Sequence, residues 1–237
     1  GSAVTYKFFQ YIDAQENTDY ANDYIDLAAI GLIGDMMKLN HLETRYLCEY
    51  GLSHIKNPFI KALIKKQSFS IHNENKITPT EVSFFLTPLV NALIRVGSQE
   101  EKESMFEAFI NGNKIVPSTK RGALPDDTEV LGDQIARICA NARTRQNNQK
   151  EKAAEALEIN LYKTGAIDNK VLIAIVEPDA FDQTLTGLIA MELNAKHKKP
   201  TMVLRETTEK QYDEKGKFIG EKHFYRGSMR ASGKGIE

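Results

Sequence analysis

The chain has 237 residues, with 31 basic and 32 acidic side chains, a formal net charge of −1 at pH 7 and a hydrophobic fraction of 41%. This length suffices for one large domain or two small ones, and the composition is typical of a globular protein. Because the charges nearly cancel, any surface that binds nucleic acid must be local rather than general.

Cysteine usage and hydropathy exclude several further classes of protein. Cys48 and Cys139 lie far apart in apolar helical patterns, which favours buried free thiols over a disulfide scaffold or a cysteine-based zinc site. No run approaches the roughly 18 apolar residues that a membrane helix needs, and the first residues lack the apolar core of a signal peptide. We therefore expect a cytoplasmic protein without membrane contact. The start without Met and the glycine-rich residues 231–237 suggest a longer natural chain.

The first half of the chain is predicted to be helical. Residues 24–35 are apolar on nearly every face, so this run is predicted to be buried, and Asp35 then ends a buried element, which is an expensive place for a carboxylate. Thr18 and Asp19 are predicted to cap this helix. The other predicted helices cover 3–14, 42–56, 58–66 and 99–111, with a further start at 78–81, and glycines and prolines predict a loop over 111–127.

The second half changes from helix to mixed structure. A helical pattern covers 128–162, but its apolar stripe disappears over 143–152, which is typical of a helix that crosses solvent between two packed bodies. Residues 143–152 are therefore the predicted domain boundary. Beyond them we predict a buried strand at 171–176, a helix at 184–196, strands at 201–204 and 223–226, and a polar hairpin turn at 213–217.

Four segments carry side chains suited to chemistry, and each allows a structural alternative. Asp35 either caps or pairs locally, or it ligates a hard metal ion, which makes a buried carboxylate tolerable. Residues 87–97 alone indicate a helix-to-loop transition. Asn141, Arg145 and Gln149 share one helix face, which either is solvated or lines a cleft where arginine meets phosphate. Residues 227–230, Gly-Ser-Met-Arg, suit an anion, because small residues let phosphate approach a hydroxyl and a guanidinium.

The first two of these segments resemble motifs of RecJ proteins, within the DHH phosphoesterase superfamily. Residues 26–35, Asp-Leu-Ala-Ala-Ile-Gly-Leu-Ile-Gly-Asp, are similar to Asp-Leu-Val-Ala-Leu-Gly-Thr-Ile-Ala-Asp, whose last aspartate binds manganese in that family, and Asp35 is the match. Residues 88–97 resemble Pro-Arg-Ile-Asn-Ala-Ala-Gly-Arg-Leu-Gly. The resemblance assigns Asn91 and Arg95 to nucleic-acid binding, although Leu89 and Ile94 replace the family's first arginine and its glycine.

The last two segments resemble later parts of the same proteins. Asn141, Arg145 and Gln146 are similar to the Leu-Asn-x-x-Arg-Gln motif of the RecJ interdomain helix, with one extra residue before the arginine. Residues 227–232 match the Gly-Ser-x-Arg-Ser motif of the DHHA1 domain, in which the serine and arginine hold a phosphate. Ser228 and Arg230 are the corresponding residues here. Residues 181–190 are similar to a DHHA1 turn-helix, with its histidine lost.

The resemblance implies an α/β fold class with three parts. These are the helical end of a DHH domain over 1–127, a connecting helix over 128–162 and a small DHHA1 domain with a mixed sheet over 163–237. It also implies a metal-dependent exonuclease of DNA repair and recombination that hydrolyses single-stranded DNA in the 5′–3′ direction with two Mn²⁺ or Mg²⁺ ions. A single-strand-binding protein or a helicase would be a further partner.

The other metal ligands are expected upstream of Gly1, so the chain itself is expected to hold DNA without cleaving it. Two alternatives remain open. One is a DHH phosphodiesterase that acts on short oligonucleotides or cyclic dinucleotides, and the other is a non-catalytic nucleic-acid-binding relative of RecJ. Retention of Asp35 argues against the second alternative.

Overall fold

A computed structural model describes residues 1–71, 73, 76–177 and 180–231 of the chain. The chain forms two compact units, Gly1–Arg143 and Thr144–Glu237. The long helix α8 (Leu131–Lys163) begins in the first unit and ends in the second. Within these ranges, none of the helices is both long and apolar enough to cross a bilayer.

The first unit is mainly helical, as the hydrophobic spacing predicts. Phe59, Leu63, Leu93 and Ile135 are completely buried at its centre. Its elements are α1 (Ser2–Glu16), a 3-10 turn (Ala21–Tyr24), α2 (Ile25–Gly34), α3 (Leu42–Ser53), α4 (Pro58–Lys66), α5 (Pro79–Glu81), a π-helical turn (Val82–Leu86), α6 (Thr87–Val96), α7 (Gln99–Asn111) and the strands β1 (Ile115–Pro117) and β2 (Thr128–Val130).

Side-chain caps fix where several of these helices begin. Asn57 accepts hydrogen bonds from the N–H groups of Phe59 and Ile60, and Pro58 occupies the first turn of α4, where no N–H is needed. Thr78 with Glu81 forms a capping box at α5, which confirms the helix start predicted at 78–81. Ser98 and Glu101 form a second capping box at α7.

Asp26, the first residue of the RecJ-like segment, is a structural carboxylate. It is 1% exposed, and its Oδ2 accepts hydrogen bonds of 2.8 Å from the N–H groups of both Lys56 and Asn57. Its Oδ1 accepts from the N–H of Leu27 at 2.8 Å. Because a buried carboxylate needs donors to replace water, these contacts fix the entry to α4 against α2. No local pattern in the sequence indicates this role.

The turn before α6 is wider than an α-helical turn. Pro88 has no N–H to donate, and its ring clashes with the carbonyl group four residues earlier in a regular helix. Over Val82–Leu86 the chain is π-helical, and the N–H of Thr87 donates to the carbonyl of Val82, five residues before it. The π turn therefore sets which side chains of α6 face α2.

Strands β1 and β2 form an antiparallel pair with Val116 opposite Glu129. The prediction that the long helix starts at 128 was wrong, because residues 128–130 pair with β1 before α8 begins. Glu129 is buried, accepting hydrogen bonds from Gln134 at 2.9 Å, the Thr119 N–H at 2.9 Å and Arg137 at 2.7 Å. Burial raises the pKa of Glu129, but these bonds and the charge of Arg137 bring it below its ordinary value.

The second unit is a small α/β body with a mixed three-stranded sheet, as predicted. Strand β3 (Leu172–Val176) pairs parallel to β4 (Thr201–Tyr212), and β4 pairs antiparallel to β5 (Phe218–Arg230). The other elements are 3-10 turns at Ala166–Asp168 and Gln183–Leu185 and the helix α9 (Thr186–His197).

The strands of this sheet differ from their predicted form in two ways. Strands β4 and β5 extend well beyond the predicted 201–204 and 223–226, although the polar turn at 213–217 lies where it was expected. The prediction of a buried β3 was wrong on one face, since Ile173 and Ile175 are 48% and 55% exposed while their neighbours are buried. Branched apolar residues on both faces of a strand predict burial on both sides, and here one side is open.

Candidate functional site

Asp35 lies at the C-terminal end of α2, directly after its last residue. Its backbone N–H donates to the carbonyl of Gly31 at 3.1 Å, which closes the last turn, and its side chain is exposed. The expectation of a buried carboxylate was wrong. The apolar run ends within the fold, but the residue that follows a helix can turn its side chain away from the core, and Asp35 does so.

Asp35 and Asn91 line the same pocket of the first unit. The pocket has a volume of about 390 Å³ and lies between α2 and α6, with Thr87 on the α6 side one turn before Asn91. The two RecJ-like segments are far apart in the sequence, and the packing of α6 beside the end of α2 brings them together. Asp35 and Asn91 therefore contribute to one pocket.

Arg95 lies one further turn along α6, on the same face as Asn91. Its side chain is half-buried, in the last turn of the helix. Gly97 follows Val96, the last residue of α6. A Cβ on Gly97 would lie 2.4 Å from the carbonyl oxygen of Leu93, so a side chain there would clash with the end of the helix. Thr87, Asn91 and Arg95 thus form one polar row along α6.

The described residues do not fit a complete metal site on their own. Within the described ranges, no three histidine, cysteine, aspartate or glutamate side chains converge so as to hold an ion. Asp35 is the one carboxylate among the residues that line its pocket. A two-metal centre needs several such ligands around each ion, so Asp35 can supply no more than a part of one.

The predicted residues of α8 have very different environments. Asn141, Arg145 and Gln149 are exposed, in agreement with a polar helix face. Gln146 is 0% exposed, so the expectation that the helix crosses solvent over 143–152 was wrong at this position. Its amide is enclosed by protein, and a phosphate could not reach it in this structure.

Ser228 and Arg230 lie on β5 beside the N-terminus of α9. The hydroxyl groups of Ser228 and Thr186 are 3.0 Å apart. A Cβ on Gly187 would lie 2.9 Å from Nη2 of Arg230 and 3.4 Å from Oγ of Ser228, so glycine lets both side chains lie against the start of α9. Nη1 of Arg230 donates to the carbonyl of Met229 at 2.7 Å. Ser232, the last residue of the motif, lies outside the described residues.

Sequence reasoning missed Thr186 and Gly187 as parts of this group. Their signal was present, because both belong to the segment 181–190 that resembles a DHHA1 turn-helix. The first turn of a helix is the positive end of the helix dipole, which favours an anion. The N–H of Thr186 itself donates to the carbonyl of Gln183 in the preceding 3-10 turn. Two hydroxyl groups, a guanidinium and this helix end therefore meet at a point without a bulky side chain.

Two other features lie apart from these sites. Cys48 and Cys139 are buried free thiols, as predicted, and burial raises the pKa of Cys139 to about 12, which makes it a poor nucleophile. A larger apolar groove of about 860 Å³ lies along α1 and the 3-10 turn Ala21–Tyr24, and no residue predicted to act in the site lines it.

Comparison with known proteins relates the chain to single-strand-specific exonucleases. No family model matches it. It is 38% identical over 213 residues to YorK, a prophage-derived protein of Bacillus subtilis (strain 168) named as a single-strand DNA-specific exonuclease, and equally to the yorK protein of Bacillus phage SPbeta. Each match covers 90% of this chain and 36% of the relative, so the chain spans about a third of the length of these relatives.

Solved structures of RecJ share the fold. RecJ from Thermus thermophilus in complex with Mn²⁺ matches 83% of this chain and 26% of its own, with a TM-score of 0.59 and 16% sequence identity. The Mg²⁺ complex of the same protein has a TM-score of 0.56, with 16% identity over 83% of this chain and 28% of that one. An exonuclease RecJ bound to manganese has a TM-score of 0.58, with 17% identity over 83% and 44%. The resemblance to RecJ predicted from the motifs is confirmed.

Proposed function

We propose that this chain is part of a RecJ-like exonuclease that hydrolyses phosphodiester bonds of single-stranded DNA in the 5′–3′ direction with Mn²⁺ or Mg²⁺. The observation that carries the proposal is that Asp35 and Asn91, from two separate RecJ-like segments, line one pocket. The relatives named as single-strand DNA-specific exonucleases, which match 90% of the chain, support it.

In this proposal, the first unit contributes one side of the catalytic centre. Asp35 is exposed beside the pocket, where a carboxylate oxygen can ligate a hard divalent ion. The ion would polarise the phosphodiester and activate water, as divalent ions do in nucleases. The described residues supply no further carboxylate or histidine cluster beside Asp35, so we expect the 237-residue chain to hold DNA without degrading it.

The second unit contributes a phosphate contact. Arg230 supplies a charged donor, Ser228 and Thr186 supply hydroxyl groups, and Gly187 lets these side chains lie against the start of α9. The positive end of the α9 dipole lies at the same point. Such contacts recognise the backbone and not the bases, which suits an enzyme that must degrade any sequence.

Single-strand binding by the 237-residue chain tests this phosphate contact. Arg230→Ala is expected to weaken binding of a fluorescent oligonucleotide about tenfold at low salt, because a charged hydrogen bond to phosphate is lost. Arg226→Ala is the matched control, since Arg226 lies on the same strand but is paired with Glu209 at 2.6 Å. Equal binding by wild type and Arg230→Ala would show that the phosphate assignment is wrong.

A nuclease assay of the same proteins tests the role of Asp35. With Mn²⁺ and a long single strand, the 237-residue chain is expected to release no nucleotides. If the 237-residue chain degraded the strand and Asp35→Ala abolished that activity, the proposal that its metal centre is incomplete would be wrong. Assay of the full-length protein on long strands and on cyclic dinucleotides separates the exonuclease from a small-substrate phosphodiesterase, which would prefer the dinucleotides.

A further inference from the structure

The pocket beside Asp35 is mostly apolar and has a polar rim. Ile60 and Leu63 are buried at its floor, and Val90 and Phe109 form part of its wall. Its volume of about 390 Å³ is within the range of small-molecule sites. Such a surface favours a flat, weakly polar group over a phosphate or an ion, so it has a different role from the carboxylate at its rim.

The wall on the α2 side carries two glycines, Gly31 and Gly34. A Cβ on Gly31 would lie 2.5 Å from Oγ of Ser2, so this glycine makes room for α1, and Gly34 is the one that borders α6. A Cβ on Gly34 would lie 3.4 Å from Oγ1 and Cγ2 of Thr87. Alanine therefore fits at position 34 with ordinary contact, whereas a longer side chain would extend into the pocket.

Polar groups on α6 are directed at the same space. Asn91 lines the pocket one turn after Thr87, and its amide offers both donors and an acceptor. Oγ1 of Thr87 is buried and has no hydrogen-bond partner among the described residues. The π turn before Thr87 is what orients both side chains toward α2. An apolar ligand with a polar edge would satisfy this arrangement.

We propose that this pocket holds the base of the nucleotide whose phosphate lies at Asp35. This inference rests on the proposed function. A base is joined to its phosphate through one sugar, so a phosphate at the rim carries its base into the space next to it. The apolar walls contact the faces of the base, as stacking surfaces do without preference for sequence. The Asn91 amide can rotate to present a donor and an acceptor to any base edge.

Binding of nucleosides without metal tests this pocket directly, because a nucleoside has no phosphate to be repelled by Asp35. NMR titration of the 237-residue chain with deoxyadenosine and thymidine is expected to shift resonances of α2 and α6, while deoxyribose, which lacks a base, produces no such shifts. Gly34→Leu fills the pocket and is expected to weaken binding of both nucleosides at least tenfold. Gly34→Ala, the matched control, changes the same residue without filling the pocket and retains binding.

Three results would overturn the base pocket. These are no binding of deoxyadenosine or thymidine to the wild type, equal binding of deoxyribose, and unchanged nucleoside binding in Gly34→Leu. If Gly34→Leu does not fold, Val90→Phe fills the pocket from the α6 side and must give the same loss. If the chain does not bind oligonucleotides, the proposed function is wrong. If it binds oligonucleotides but the nucleosides do not bind in the pocket, only the base pocket is wrong.

Discussion

At the residue scale, Asp13 shows how one carboxylate joins two elements. It lies on α1 and is 8% exposed. It accepts a hydrogen bond from the hydroxyl of Thr18 and, at 2.6 Å, from the N–H of Ala21, where the 3-10 turn begins. The hydrogen bond from Thr18 is the largest cause that lowers the pKa of Asp13, and the hydrogen bond from Ala21 lowers it further. Thr18 and Asp19 were predicted to cap the next helix, but Thr18 donates back to Asp13 instead.

This lowered pKa makes stability depend on pH in a defined direction. The ionised carboxylate is favoured in the folded state, so its contribution is complete above the unfolded pKa of about 4 and is lost as the pH falls through the folded pKa. Asp13→Asn is expected to lower the free energy of unfolding at pH 7, and the difference from wild type should shrink in acid. Urea unfolding at neutral and acidic pH measures it.

The control for this prediction is Glu16→Gln, which removes an exposed acid from the same helix. It should change the free energy of unfolding very little at either pH. A difference between wild type and Asp13→Asn that stays constant from neutral to acidic pH would mean that the carboxylate charge is not what stabilises this contact.

The sequence predicted the position of Asp35 but not its environment. An apolar run that ends in an acid shows where the helix stops, and the RecJ-like pattern marks which acid it is. Exposure depends on which way the side chain leaves the last turn, and the 3.6-residue periodicity does not encode that direction beyond the helix end. Gln146 shows the converse, because a polar residue in a polar run is buried.

At the element scale, Gly51 allows α2 and α3 to approach closely. A Cβ at this position would lie 2.6 Å from the carbonyl oxygen of Ile25 and 2.7 Å from Cβ of Ala29. Both contacts are shorter than packed atoms allow, and one is with backbone, which moves less readily than a side chain. Gly51 therefore serves helix packing.

Gly51→Ala is expected to lower the free energy of unfolding by about 1–3 kcal/mol, the usual range for an overpacked core. Chemical denaturation followed by circular dichroism measures it. Glu49→Ala is the control on the same helix, since Glu49 is exposed and its ion pair with Arg45 at 2.8 Å contributes at most about 0.5 kcal/mol. A Gly51→Ala protein as stable as wild type would show that α2 and α3 can separate without cost.

Element boundaries were predicted well where a cap marks them and poorly where strands run into solvent. The capping box at Thr78 and the proline at Pro58 locate their helices within the sequence itself. Strands β4 and β5 continue through charged residues with little burial, so their outer halves lack the apolar alternation that predicts a strand. Pairing between the two strands extends them.

At the scale of the whole molecule, the β4–β5 hairpin has uneven support. Strand β3 pairs with β4 only from Thr201 to Arg205. Beyond that point, β4 and β5 pair with each other as far as Tyr212 and Phe218, next to the turn. A two-stranded hairpin is marginally stable alone. Amides of 207–212 and 218–224 are therefore expected to exchange with deuterium faster than those of 201–205 and 226–230.

Hydrogen exchange read by mass spectrometry resolves these peptides in a single experiment. Peptides from α9, which packs on the inner part of the sheet, provide a protected reference in the same unit. Uniform protection along the whole hairpin would mean that its outer half is held by contacts other than the ladder between β4 and β5.

The candidate site itself could not be predicted as one object. Sequence spacing identifies Asp35 and Asn91 separately, but their shared pocket depends on the packing of α6 against α2, a tertiary contact that no local pattern contains. The same is true of Thr186 with Ser228, which come from a helix and a strand far apart in the chain. The motifs mark single residues along the chain, and the fold determines which of those residues lie together.

The π turn at Val82–Leu86 has a consequence for how this region can change in evolution. A π turn contains one residue more than the α turn that it replaces, and each helical residue rotates the chain by about 100°. It is thus a place where the gene can gain or lose one codon while the capping box at Thr78 stays intact. Each such change would turn a different face of α6 toward Asp35, so a single insertion or deletion could give the site a new set of side chains.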